Sequence, residues 1–315
     1  MALGRTKTAA DAILTALERV VVGQREVMVN MLVGVLAEGH VLLEGPPGVA
    51  KTLLVRSLAA LLGLDFRRVQ FTPDLMPSDV IGTNVFDPST RTFVLRKGPL
   101  FTDFLLADEI NRAPSKTQAA LLEAMQERQA TIDGERATLP DGFTVFATQN
   151  PLEYEGTYPL PEAELDRFLL KIDVGYPDEG EERAILARFR DGQRPDASQV
   201  TAIMDRTALA ACRAELDGVK ADDAILAYAV EIVRRTRSSP ACLVGGSPRG
   251  AVALFLAARA RAVLEGRDFV IPDDVKRMAR PTLGHRITLR PEAEIEGATA
   301  ARVLAEIVEA VPVPR

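Results

Sequence analysis

Two hydrophobic periodicities alternate along the first half of the chain. Ile13, Leu14, Leu17 and Val20 to Val22 recur at helical spacing, which predicts a helix over 8–22 ended by Gly23. A second helix is predicted over 25–37, with Val27, Met31, Leu32 and Leu36 among its apolar positions. "HVLLE" (40–44) is a short apolar run between Gly39 and Gly45, the pattern of a buried strand, and a helix follows over about 51–62. The alternation continues. "DFRRVQF" (65–71), "FLLADE" (104–109), "FTVFAT" (143–148) and "FLLKIDV" (168–174) read as strands, and "SKTQAALLEAMQERQ" (115–129) reads as a helix. Strands that are apolar on both faces and separated by helices predict an α/β fold whose central parallel sheet is flanked by helices. Two stretches interrupt it as hairpins. One spans 84–95 around Asp87-Pro88-Ser89-Thr90, and the other spans 130–139 around the tight turn Asp133-Gly134.

After Tyr176-Pro177 the strand pattern nearly vanishes. Helices are predicted over 179–190, 222–236, 248–265, 272–280 and 294–310, with an exposed loop at 191–200 and a short extended piece within 265–272. This divides the chain into an α/β domain, 1–177, and a helical domain, 178–315.

Composition narrows the function classes. The chain has 315 residues, enough for two domains, and a formal net charge of −6. An acidic balance argues against a protein that coats nucleic acid, which carries a basic excess. Cys212 and Cys242 form no disulfide framework or zinc quartet, and His40 and His285 alone make a histidine metal site improbable. The N-terminal stretch lacks a signal-peptide core and no run of about 18 apolar residues occurs, so a cytoplasmic protein is expected.

The candidate chemistry begins at "EGPPGVAKTLL" (44–54). A Gly-rich turn between a strand and a helix cradles phosphate oxygens with backbone amides, and the helix N-terminus adds partial positive charge. Gly45, Lys51 and Thr52 fit the phosphate-loop spacing, but Ala50 stands where the pattern has its second glycine. Alanine is acceptable there if its backbone is helical, so a negative φ is expected at Ala50. Lys51 would neutralise phosphate charge, and Thr52 would hold Mg²⁺. Asp108 and Glu109 end an apolar strand, where Asp108 would orient the Mg²⁺ shell and Glu109 would polarise water as general base. Asn150 ends another strand and could bond the γ-phosphate or the water. Arg167 precedes a strand. Arg249 follows Ser247 and Pro248, an N-cap and a first helical residue, and so lies in a first helical turn. Arginine suits γ-phosphate charge, either in cis or from a neighbouring subunit.

Together these elements resemble the MoxR family of AAA+ ATPases over roughly residues 10–312. The most specific pieces are "GPPGVAKT", "LLADEINRAPSKTQAALLEAMQER", "FATQNPLEYEGTYPLPEAELDRF", "GGSPRG" and "LGHRI". The resemblance implies a P-loop NTPase core followed by an all-α lid. It makes Gly45, Pro46, Pro47, Gly48, Val49, Ala50, Lys51, Thr52 and Leu53 the nucleotide-binding Walker A stretch, and Asp108 with Glu109 the Walker B pair. It makes Asn150 sensor 1, Arg167 an arginine finger reaching into the next subunit, and Arg249 a nucleotide-contacting sensor 2 carried by the lid. Val22, Gly23 and Gln24 match the segment lining the adenine pocket, and Arg112 matches a residue that faces a subunit interface. Alanine at position 50 is a usual variant in this family. The two hairpins look like its helix-2 insert and its insertion before sensor 1, pointing to the pore or the substrate. ATP and Mg²⁺ are implied, as are a hexameric ring, a protein client matured by a chaperone-like remodelling activity, and a partner with a von Willebrand factor A domain.

Other readings remain open at this point. A helicase-like or magnesium-chelatase-like motor shares the superfamily, and the acidic balance weighs against the helicase. A GTPase would need a guanine motif, and "LKID" (170–173) lacks its first polar residue. A nucleotide-gated scaffold with little turnover would not need the full Lys51, Asp108, Glu109, Asn150 and Arg167 set.

Overall fold

The computed structural model describes residues 3–151 and 156–314. Residues 152–155 of the "FATQNPLEYEG" stretch lie outside the described residues. Two helices, α1 (Leu3–Val20) and α2 (Arg25–Leu36), lead into strand β1 (Val41–Glu44) and helix α3 (Lys51–Leu61). Strand β2 (Phe66–Gln70), helix α4 (Pro77–Ile81) and a hairpin of β3 (Gly82–Asp87) and β4 (Thr92–Lys97) follow. Then come β5 (Phe104–Asp108), α5 (Ser115–Glu127), the hairpin β6 (Gln129–Ile132) and β7 (Glu135–Thr138), β8 (Thr144–Gln149), α6 (Glu162–Leu165) and β9 (Leu170–Asp173).

Strands β2, β5, β8, β1 and β9 form one sheet in that order, and every pairing is parallel. Side chains alternate between its two faces. Val41 and Leu43 of β1 pack with Phe104, Phe146 and the helices α1 to α3. Leu42 points the other way, into a second cluster with Leu105, Val145 and Leu121 of α5. Both faces are therefore covered, which explains why these strands read as unbroken apolar runs. The predicted hairpins form, and their turns rest on left-handed residues: Arg91 (φ 54°) in the first, Asp133 (φ 49°) and Gly134 (φ 87°) in the second.

Beyond β9 the chain is helical: α7 (Glu179–Arg190), α8 (Arg206–Asp217), α9 (Asp223–Ser238), α10 (Pro248–Leu264), α11 (Pro272–Leu283), α12 (Pro291–Ile295) and α13 (Ala300–Ala310). A short antiparallel ribbon of β10 (Cys242–Val244) and β11 (Thr288–Leu289) crosses this helical lid. The pattern over 294–310 predicts one helix, but the structure has two. Gly297 takes φ 84°, a left-handed value that ends α12 and redirects the chain before Thr299 caps α13. Helix α8 is absent from the sequence prediction. Its N-cap is Asp205, which accepts a hydrogen bond from the Ala208 amide, and Leu209, Cys212 and Leu216 form its buried stripe.

One side chain fastens the lid to the sheet. Arg286, in the "LGHRI" stretch, is buried and pairs with Asp166 at 2.7 Å. Its guanidinium also donates to the Asp166 carbonyl (3.0 Å), the Phe168 carbonyl (2.6 Å) and the Leu169 carbonyl (3.1 Å). The neighbouring His285 ring contacts the Phe168 carbonyl at 3.0 Å, and burial with the Arg286 charge beside it holds that imidazole neutral. His40 is a satisfied core histidine: burial lowers its pKa to about 4, Nδ1 accepts from the Val145 amide, and Nε2 faces the Met125 carbonyl.

Candidate active site

The carboxyl ends of β1, β5 and β8 meet at one edge of the sheet. The phosphate-loop sequence leaves β1 there, and the Gly45 amide donates to the Gln149 carbonyl at 3.2 Å, so Asn150 flanks the loop directly. Gly45 is dictated by a close approach: a Cβ on it would lie 2.1 Å from the Val174 carbonyl oxygen. The Lys51 ammonium folds back over the loop and donates to the Gly45 and Pro46 carbonyls. The first helical bond of α3 runs from the Leu54 amide to the Ala50 carbonyl, 2.9 Å, so the amides of the first turn precede the helix's own ladder.

Ala50 departs from the expectation. Its backbone is left-handed, φ 63° and ψ 19°, and it is the N-cap of α3 rather than a helical residue. The loop must reverse between Gly48 (φ 84°) and the helix, and that reversal falls on position 50, where the general pattern has glycine. Alanine is the smallest side chain that pays the Cβ penalty, and it packs on the core cluster under α3. A left-handed residue costs about 1–2 kcal/mol, against about 0.5–1 kcal/mol of chain entropy for glycine. Ala50→Gly should therefore stabilise the protein by about 0.5–1 kcal/mol in urea unfolding. Loss of stability in that variant would mean that the residue is not left-handed.

The two acids are held by a connected set of polar groups. The Thr148 hydroxyl donates to Asp108 Oδ1 (2.5 Å) and accepts from the Glu109 amide (2.8 Å). Asp108 Oδ2 faces the Thr52 hydroxyl at 3.4 Å and is paired with Arg68 at 2.7 Å. Glu109 Oε2 accepts from Gln70 Nε2 (2.6 Å) and lies 3.1 Å from Arg112 Nε. Glu109 is left-handed as well, at φ 57°. Gln24, at the other wall of the site, takes φ 59°. Strained residues at Gln24, Ala50 and Glu109 thus surround one cleft, a common signature of functional sites.

Beside the loop lies a mainly apolar cavity of about 320 Å³, lined by Val20 to Val22, Gln24, Gly48 to Ala50, Leu53, Pro177, Ile185, Arg188, Phe189 and Pro195. The Gln24 side chain donates to the Val49 carbonyl at 3.3 Å, which ties the N-terminal segment to the loop. Gly23 turns at φ 70°, and a Cβ there would strike the Glu181 carboxylate of α7. The cavity thus adjoins the phosphate loop directly and is walled mainly by apolar side chains.

Arg167 and Arg249 are elsewhere. They line a second cavity, about 270 Å³, with Gly39, His40, Arg128, Asp166 and Arg286. His40 precedes β1, and the Leu169 amide before β9 donates to its carbonyl at 2.8 Å, so this cavity opens at the amino ends of the strands. A four-residue strand separates the two edges by about 13 Å. The resemblance assigns Arg249 to the nucleotide, but the structure sets it and Arg167 away from this chain's own phosphate loop. Arg249 does lie in the first turn of α10, behind the N-cap Ser247 and Pro248.

The chain matches known proteins along its length. Residues 40–170 match the model of the ATPase family associated with various cellular activities (AAA), and residues 234–307 match that of the AAA lid domain. The chaperone MoxR1 of Mycobacterium tuberculosis is 43% identical over 95% of this chain and 80% of its own. The chain belongs to the MoxR family of AAA+ ATPases. The uncharacterised Bacillus subtilis protein YeaC, 49% identical over 95% of this chain and 92% of its own, is a further relative. A solved structure from Cytophaga hutchinsonii, 40% identical, superposes with a TM-score of 0.92 over 100% of this chain and 97% of that one. MoxR membership accounts for the five-stranded parallel core and the helical lid. Arg68, Gln70 and Thr148, three groups that hold the acids, escape the sequence reading. Only strand register brings Gln70 opposite Asp108 on neighbouring β2 and β5.

Proposed function

We propose that this MoxR-family protein binds ATP at the carboxyl edge of its sheet and hydrolyses it at an interface with a second copy. The observation that carries the reading is the division of the machinery between two edges. The phosphate loop, Asp108, Glu109 and Asn150 share one edge, and Arg167 with Arg249 share the other cavity. A closed ring of identical subunits brings such opposed surfaces together, and a hexamer is the ring we favour. In it, Arg167 and Arg249 of one chain would face the γ-phosphate held by its neighbour.

The oxygens of Thr52 and Asp108, 3.4 Å apart, fit Mg²⁺, which takes one or two carboxylates plus phosphates and water. When bound, Mg²⁺ supplies charge neutralisation on the β- and γ-phosphates. Lys51 exchanges the Gly45 and Pro46 carbonyls for phosphate oxygens. Glu109 accepts a proton from the attacking water and must first leave Gln70 and Arg112. Asn150 orients that water or the γ-phosphate. The apolar cavity between Val22, Gln24 and Phe189 takes the adenine.

The chaperone name of the Mycobacterium tuberculosis relative supports a client-remodelling role, and we add the cytoplasm and a von Willebrand factor A partner as what the family resemblance implies. No described helix is long and apolar enough to cross a membrane. The site reading is tested by Lys51→Ala. ATP affinity measured by calorimetry should fall at least about 30-fold, some 2 kcal/mol, because the Lys51 ammonium over the loop is lost. Wild-type affinity in that variant would sink the phosphate-loop assignment. Strong stimulation of turnover by DNA would instead favour a helicase-like motor.

A further inference from the structure

Arg68 lies on β2, one of the two edge strands of the sheet, and plays no part in the mechanism above. Its guanidinium nevertheless sits on the most consequential oxygen of the site. Arg68 Nε and Nη2 approach Asp108 Oδ2 at 2.9 and 2.7 Å. That same oxygen faces the Thr52 hydroxyl. Arg68 Nη2 is braced from behind by Gln70 Oε1 at 2.6 Å. Residues 68 and 70 lie on one face of the strand, and Arg67, the neighbour of Arg68, lies on the other with Val69. The Arg68 side chain is 47% exposed and that of Asp108 11%. The arginine thus reaches in from solvent onto a largely buried carboxylate and can swing out again.

We propose that Arg68 is a built-in competitor for the metal on Asp108. The inference rests on the nucleotide-site reading given above. A guanidinium and a divalent cation need the same lone pairs of Oδ2, and two cations crowded on one oxygen repel. Without metal, Arg68 satisfies the Asp108 charge. Metal entry requires the guanidinium to leave Oδ2 for solvent, which its exposure permits. Arg68 therefore lowers the affinity of the site for the metal, and makes nucleotide binding more dependent on metal concentration than the Thr52–Asp108 pair alone would. Half-exposed ion pairs are modest in strength, so the expected effect is about 3- to 10-fold.

The sign of the effect separates this role from its rivals. Binding of the fluorescent nucleotide mant-ADP is measured with and without Mg²⁺, and the ratio of the two affinities gives the metal coupling. Arg68→Gln should raise the coupling about 3- to 10-fold and leave metal-free affinity within about twofold. Arg67→Gln removes an equal charge from the opposite face of β2 and should leave the coupling at the wild-type value. If Arg68 instead held phosphate, Arg68→Gln would weaken metal-free binding, and the proposal would be overturned. It would be overturned equally by an unchanged coupling in Arg68→Gln or by the same rise in Arg67→Gln. A wild-type protein that bound no mant-ADP under either condition would refute the nucleotide site itself, a distinct failure.

Discussion

Arg167→Ala should reduce ATP turnover by about 10³-fold or more and leave ATP binding to the same chain nearly unchanged. Arg167 lines the cavity at the amino ends of the strands, with Arg249 and His40, and the phosphate loop of its own chain leaves the opposite ends. In the proposed ring its charge acts in the transition state across an interface. Mixing supplies the decisive measurement. Arg167→Ala subunits keep Glu109, and Glu109→Gln subunits keep Arg167. In a ring assembled at random from equal amounts, about a quarter of interfaces pair an intact Glu109 with an intact Arg167. Turnover should recover toward about a quarter of the wild-type rate if sites fire independently. No recovery in a verified mixed ring would count against action in trans.

Glu109→Gln should bind ATP as tightly as the wild type and hydrolyse it about 10²- to 10⁴-fold more slowly. Glutamine keeps the size and the hydrogen-bonding reach of the side chain and cannot take a proton. The backbone at 109 is left-handed and held by the hydrogen bond that its amide donates to the Thr148 hydroxyl, so the exchange leaves the site's shape intact. ATP retention by filter binding and phosphate release by single-turnover assay measure the two halves separately. Hydrolysis at the wild-type rate would remove Glu109 from the chemistry.

Local pattern made most of this architecture legible. Runs such as "HVLLE" and "FLLADE" are buried on both faces, so they announce themselves without knowledge of their partners. Helix α7 keeps to the predicted span 179–190, and the capping box of Asp178 and Glu181 that starts it is equally local. What pattern could not show depended on neighbours distant in sequence. Arg68 and Gln70 look like ordinary edge-strand polar residues until register sets Gln70 opposite Asp108. Ala50 misled for a different reason. Its type argues for a helical φ, but the geometry of the loop decides, and a single methyl group tolerates the strain. The far-edge position of Arg249 follows from how the lid docks, which is set by the buried contacts of Arg286 and by the Ser247 hydroxyl facing Asp166 at 3.3 Å, partners that lie about 80 or more residues earlier in the chain.

That docking has a mechanical meaning. Arg286 grips Asp166 and Phe168, the residues on either side of Arg167, and Leu169 beyond them, with four bonds to backbone and carboxylate. Arg280 of α11 adds a pair to Asp173 at 2.6 Å. The lid is thereby bonded to the chain on both sides of Arg167, the residue proposed as the finger. In a ring joined across this surface, a tilt of one lid would lift its finger out of the next subunit's site, so torque and timing would be handed sideways from protomer to protomer.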